Sequence, residues 1–137
     1  MLHLIERVVR NMELNHDCVR DLLLAVEKYT NLNEHLDHDN ILSLYELKDY
    51  DDDTVIYTAQ KLNEAGYING NINFYYDDNV HIAISSLTYN GHTFLDTIRD
   101  DVVWRETKKT ASKFSSVSLP ILLDIGASYL KSKLGLS

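Results

Sequence analysis

Apolar side chains recur at helical spacing between Asn15 and Tyr29, where Cys18, Leu22, Leu23, Val26 and Tyr29 share one side, and this predicts an amphipathic helix. Asn15 is suited to its N-cap, and Asp17 near the start and Lys28 near the end both complement the helix dipole. Upstream, Leu4, Ile5, Val8 and Val9 have the spacing of a short helix and are followed by Met12. Residues 1–11 are thus either an extra helix or an extension ahead of a natural start at Met12. Thr30 to Asn40 is polar and rich in turn formers, which predicts a loop. The apolar cluster Ile41, Leu42, Leu44, Tyr45 and Leu47 predicts a brief strand.

The acidic run Asp49 to Asp53 leads into a second helix from about Thr54 to Ala65, with Val55, Ile56, Ala59 and Leu62 inward and Tyr57, Thr58, Lys61 and Glu64 outward. Gly66 stands where a left-handed residue ends a helix. Ile68 to Tyr76 then alternates, placing Ile72, Phe74 and Tyr76 on one face and Asn71, Asn73 and Tyr75 on the other. After the turn Asp77-Asp78-Asn79, Val80, Ile82 and Ile84 alternate with His81, Ala83 and Ser85, so a β-hairpin is expected.

Thr88 is suited to cap a third, long helix reaching about Lys109, with Phe94, Leu95, Ile98 and Val102 as its apolar stripe toward Trp104. Ser118 and Pro120 mark the start of a last helix whose apolar side carries Leu119, Leu122, Ile125, Tyr129 and Leu130. The order helix, short strand, helix, hairpin, helix predicts an α+β fold with a winged-helix-like core in which one helix is shortened or missing. The corresponding organisation is an N-terminal segment 1–11, a winged-helix-like domain 12–109 and a basic tail 110–137 carrying the amphipathic helix.

Charge alters what such a core is expected to bind. Residues 1–104 carry 7 Lys/Arg against 19 Asp/Glu, whereas residues 105–137 carry 6 against 2. An acidic body repels phosphates at long range, which weighs against nucleic acid. Cys18 is the single cysteine, so no intrachain disulfide forms and a reducing, cytoplasmic compartment fits. The N-terminus has acid and base where a signal peptide needs an apolar run, and Val117 to Leu130, interrupted by Asp124, is too short to span a membrane.

Candidate chemistry is sparse. His35 and His38 with Asp37 and Asp39 have metal-ligand residue types, but their spacing lacks partner ligands, and a solvated loop is the preferred reading. His92, after Gly91, has no nucleophile or carboxylate arranged beside it in sequence and reads as a packing or capping residue. Asp49 to Asp53 lacks the glycine and terminal glutamate of a calcium loop. No catalytic residue, metal or cofactor is therefore expected. Tyr57, Thr58, Gln60, Lys61 and Asn63 would face a DNA groove, yet Lys61 is the only cation among them. In the cluster Phe74, Tyr75 and Tyr76, half is expected in the core, leaving Tyr75 with Tyr57 as a hint of a protein-binding face. Leu122, Ile125 and Tyr129, with Lys131 and Lys133 beyond, are read as docking on the protein's own core or on a second chain rather than on an anionic membrane.

The segments LNHDCVRDLLLAVE (14–27), YTAQKLNEAGYI (57–68) and LTYNGHTFLDTIRDDVVW (87–104) resemble the domain of unknown function 2513 family of bacteria, prophages and phages. The third is the most specific, with its Gly-His pair, Ile-Arg-Asp and Trp. The resemblance covers most of the chain from about Met12 and departs over the first eleven residues. It implies a winged-helix-like fold and a Gram-positive or phage origin, and it carries no reaction and no catalytic residues. The expected function is a non-enzymatic, protein-binding accessory factor, with a homodimer through the C-terminal helix in view; the alternative is a dimeric winged-helix DNA-binding regulator.

Overall fold

The computed structural model describes residues 13–77 and 79–136. The expectations for residues 1–11 lie outside them. Two compact units divide the chain, one ending at Gly91 and the other beginning at His92.

In the first unit, helix α1 (His16–Tyr29) starts at Asn15, whose side chain accepts the Cys18 N–H. Its inner face buries Cys18, Val19, Leu22, Leu23, Ala25 and Val26. Burial pushes the Cys18 thiol up to about 11, as for a small core residue. Strand β1 is only Leu36–Asp37, and helix α2 (His38–Leu42) follows at once, its N-cap Asp37 accepting the Asn40 N–H. A 3-10 turn spans Tyr45–Leu47. The strand expected over Ile41 to Leu47 is therefore corrected: its apolar residues belong to a short helix and a turn, with Ile41 and Leu47 buried, and the true strand lies in the segment expected to be loop. A short apolar run without clear period cannot separate these choices.

Helix α3 (Asp52–Glu64) opens at Asp51, whose carboxylate accepts the Thr54 N–H at 2.8 Å, so the acidic run serves a helix start. It ends with Gly66 at φ 77°, where the Gly66 N–H reaches the Asn63 carbonyl and the Tyr67 N–H reaches that of Leu62. This paired closure is what a left-handed residue permits. Strands β2 (Ile68–Phe74) and β3 (Val80–Leu87) form the hairpin, and the antiparallel sheet has the order β1-β3-β2. Leu36 pairs with Ile84, Asn71 with Ala83 and Phe74 with Val80, with a register shift at Asn69/Gly70. Helix α1 packs on α3 and β3, and α3 packs on β2.

Two polar contacts tie the irregular segments to α1. The Tyr50 hydroxyl donates to Asp21 at 2.7 Å, and burial followed by this bond raises the phenol above its ordinary range. Glu46 accepts from the Tyr29 hydroxyl at 2.6 Å and from Lys28 at 3.0 Å. The tyrosine bond, then the lysine, hold its carboxyl at about 2, below the ordinary 4.5. A carboxylate depressed in the fold contributes stability above pH 4.5 that is lost as pH falls toward about 2. Glu46→Gln is expected to flatten that part of the acid-unfolding profile, read by circular dichroism; an unchanged profile would exclude the contact as its source.

Helix α4 (Tyr89–Ile98) contains the division between the units. Thr88 caps it by accepting the Gly91 N–H at 3.0 Å. The single long helix expected up to Lys109 is corrected: α5 (Asp101–Ala111) is separate, because Asp100 accepts the Val102 and Val103 N–H groups as an N-cap. Val102, expected in the apolar stripe, is 45% exposed, while Phe94, Leu95 and Ile98 are buried. Helix α6 (Leu119–Lys133) begins at the Ser118 cap with Pro120 in its first turn. In the second unit α6 packs on α5, and a Cβ added at Gly126 would lie 2.9 Å from Ile98 Cγ2 and 3.2 Å from Thr107 Oγ1, so only glycine permits that approach.

Candidate interaction surface

The hairpin carries the feature that alternation misjudged. Phe74, Tyr75 and Tyr76 are 54%, 57% and 110% exposed, so none of the three is core. Phe74 closes β2 opposite Val80, beyond the buried Ile82 and Ile84, and period two continues in the sequence past the part of the sheet that is covered. The Tyr75 N–H donates to the Asn79 carbonyl at 2.9 Å, and the Asn79 side chain donates to the Asp77 carboxylate at 2.8 Å, which fixes the turn. Adjacent to it lies an open depression of about 550 Å³ lined by His38, Asp39, Tyr75, Asn79, Val80 and His81.

On α3, Tyr57 is half-buried with the Lys61 ammonium 5.3 Å from its ring centre, and Lys61 also pairs with Glu64 at 2.9 Å. The hydrogen bond to Glu64 is the main reason the Lys61 pKa is raised. Thr58, expected to face out, is instead 1% exposed and donates its hydroxyl to the Thr54 carbonyl at 2.7 Å, so it offers nothing to a partner. The helix thus presents one cation, already engaged by a carboxylate.

On α6, Leu122 is fully buried and unavailable to a second chain, Ile125 and Tyr129 are half-buried, and Lys133 lies 5.4 Å from the Tyr129 ring centre. The large apolar residues exposed among the described residues of this unit are others: Val102, Phe114, Ile121, Leu134 and Leu136. His35 is exposed and His38 half-exposed, with His38 Nδ1 3.3 Å from Asp39 Oδ1. Among the described residues no three His, Cys, Asp or Glu side chains converge as metal ligands. His92, read as a packing or capping residue, is exposed. Among the described residues no helix is long and apolar enough to cross a membrane.

These elements define a mixed α+β protein with a small antiparallel sheet, an arrangement compatible with a winged-helix-like core in which α2 is the shortened helix. The family described as "Hypothetical protein (DUF2513)" matches residues 13–118, and the chain belongs to it. An uncharacterized protein of Haemophilus influenzae is 32% identical over 113 residues, covering 82% of this chain and 87% of the relative. No solved structure matches the chain at a significant level.

Proposed function

We propose that this protein is a non-enzymatic protein-binding module that makes its contact through the aromatic end of its β-hairpin. The observation that carries the reading is the exposure of three consecutive aromatics, Phe74, Tyr75 and Tyr76. Exposed aromatics offer large contact area at low entropic cost and are enriched where proteins meet. Their surroundings are acidic, since residues 13–91 hold 4 Lys/Arg against 15 Asp/Glu. A phosphate backbone would meet that field unfavourably. A phage or prophage accessory role is the setting that the family resemblance suggests.

The element order, with α3 directly before the hairpin, favours a second reading as a dimeric DNA-binding regulator. Against it stand Asp51, Asp52 and Asp53 at the start of α3, the pairing of Lys61 with Glu64, and Asp77 at the hairpin turn. A benzophenone cross-linker in place of Tyr76, activated in producing cells, separates the two. Discrete protein adducts that vanish when Phe74 and Tyr75 are changed to serine are the expected outcome. Nucleic-acid adducts would establish the second reading instead, and an adduct of twice the chain mass would establish a homodimer.

A further inference from the structure

We infer that the depression beside the hairpin turn is a seat for a lysine or arginine side chain of the partner protein. This rests on the protein-binding reading and specifies the chemistry of the partner. Among the described residues no lysine or arginine lines the depression, and the one carboxylate among them, Asp39, has a side chain 98% exposed with one oxygen 3.3 Å from His38 Nδ1. Tyr75, 57% exposed, lines the same depression, and the face of a tyrosine ring attracts a cation. The remaining lining includes His38, His81 and Asn79, which add polar atoms.

Several occupants can be compared by charge and geometry. An anion would face Asp39 within an acidic unit, so phosphate and carboxylate ligands are disfavoured. A metal ion would need converging ligands, and His38, Asp39 and His81 do not form such a group. A cationic side chain meets complementary charge from Asp39, a ring from Tyr75, and apolar contact for its alkyl stem from Val80. The wall carrying Tyr75 is held beforehand by the Tyr75 to Asn79 and Asn79 to Asp77 hydrogen bonds, which lowers the ordering cost of binding.

Short random peptides displayed and selected on the full chain, with a chelator present throughout, test the inference. Enriched peptides are expected to carry a lysine or arginine whose replacement by norleucine or citrulline weakens binding roughly tenfold. The same replacement should cost little further on Asp39→Asn or Tyr75→Leu protein, whereas Asp39→Glu and Tyr75→Phe should keep most of the affinity. Selection of peptides without a cation, absence of coupling to Asp39 and Tyr75, or no enrichment would each overturn the inference. If Tyr76 cross-links persist unchanged in Asp39→Asn protein while the coupling is absent, the cation seat falls and protein binding stands. If no protein adduct forms at all, it is the broader reading that fails.

Discussion

Gly91→Ala is expected to destabilise the fold by about 3 kcal/mol, although alanine is the better helix former. Gly91 lies in the first turn of α4 and is buried. On propensity alone the substitution would stabilise a helix by roughly 1 kcal/mol. A Cβ there would instead run into the Tyr67 carbonyl oxygen, with the carbonyl carbon only 3.0 Å away. That oxygen is main chain, and it already accepts the Thr88 N–H at 3.1 Å, so it cannot swing aside as a flexible side chain would. Relief requires moving the start of α4, which strains the Thr88 cap, or moving the end of the Gly66 turn. The sign is the discriminating quantity: a lowered urea midpoint supports the close approach, and a raised one would mean α4 shifts freely.

The second large effect is expected at Leu62. Leu62→Ala should cost between about 3 and 5 kcal/mol, the range for deleting a fully buried leucine whose surroundings relax only in part. Leu62 is 0% exposed on α3, a helix that packs against both α1 and β2. Two contacting elements on the same helix limit how far the gap can close. Glu64→Ala, two residues on, removes an exposed ion pair with Lys61 and should change stability by no more than about 1 kcal/mol. Urea titrations of the two variants side by side check the contrast, and similar midpoints would contradict the packing described.

What could be read ahead of the structure depended on whether local chemistry and periodicity agreed. For α1, Asn15, Asp17 and the Cys18 to Val26 spacing point the same way, and the helix forms as expected. At α3 the aspartates and Gly66 mark both ends. Around Ile41 they disagree, because the apolar run is short, and the decisive signal is the Asp37 side chain capping Asn40 within a segment that looks like turn chemistry. The break at Asp100 was similarly hidden: apolar spacing runs on from Ile98 through Val102, while one carboxylate accepting two N–H groups starts a new helix. Thr58 was misplaced because a threonine can turn its hydroxyl back to the preceding carbonyl and so become buried at little polar cost.

The candidate surface was legible only in outline. Tyr75 was expected to be accessible, but Phe74 and Tyr76 were not, since alternation describes which way a side chain points and not whether anything lies over it. The depression joins Tyr75 and His81 to His38 and Asp39, residues about forty positions apart in the chain, through the pairing of β1 with β3. No local pattern encodes that meeting.

The way the hairpin is fastened bears on how such proteins can diversify. The Thr88 hydroxyl donates to the Gly66 carbonyl at 2.5 Å and its N–H to the Tyr67 carbonyl, so the chain returns to the point it left 22 residues earlier. With the base closed independently of the tip, extra residues in the turn cost only loop entropy, about 0.6 kcal/mol for each doubling of loop length. The tip can therefore be lengthened or given a new sequence without unpicking the helices beneath.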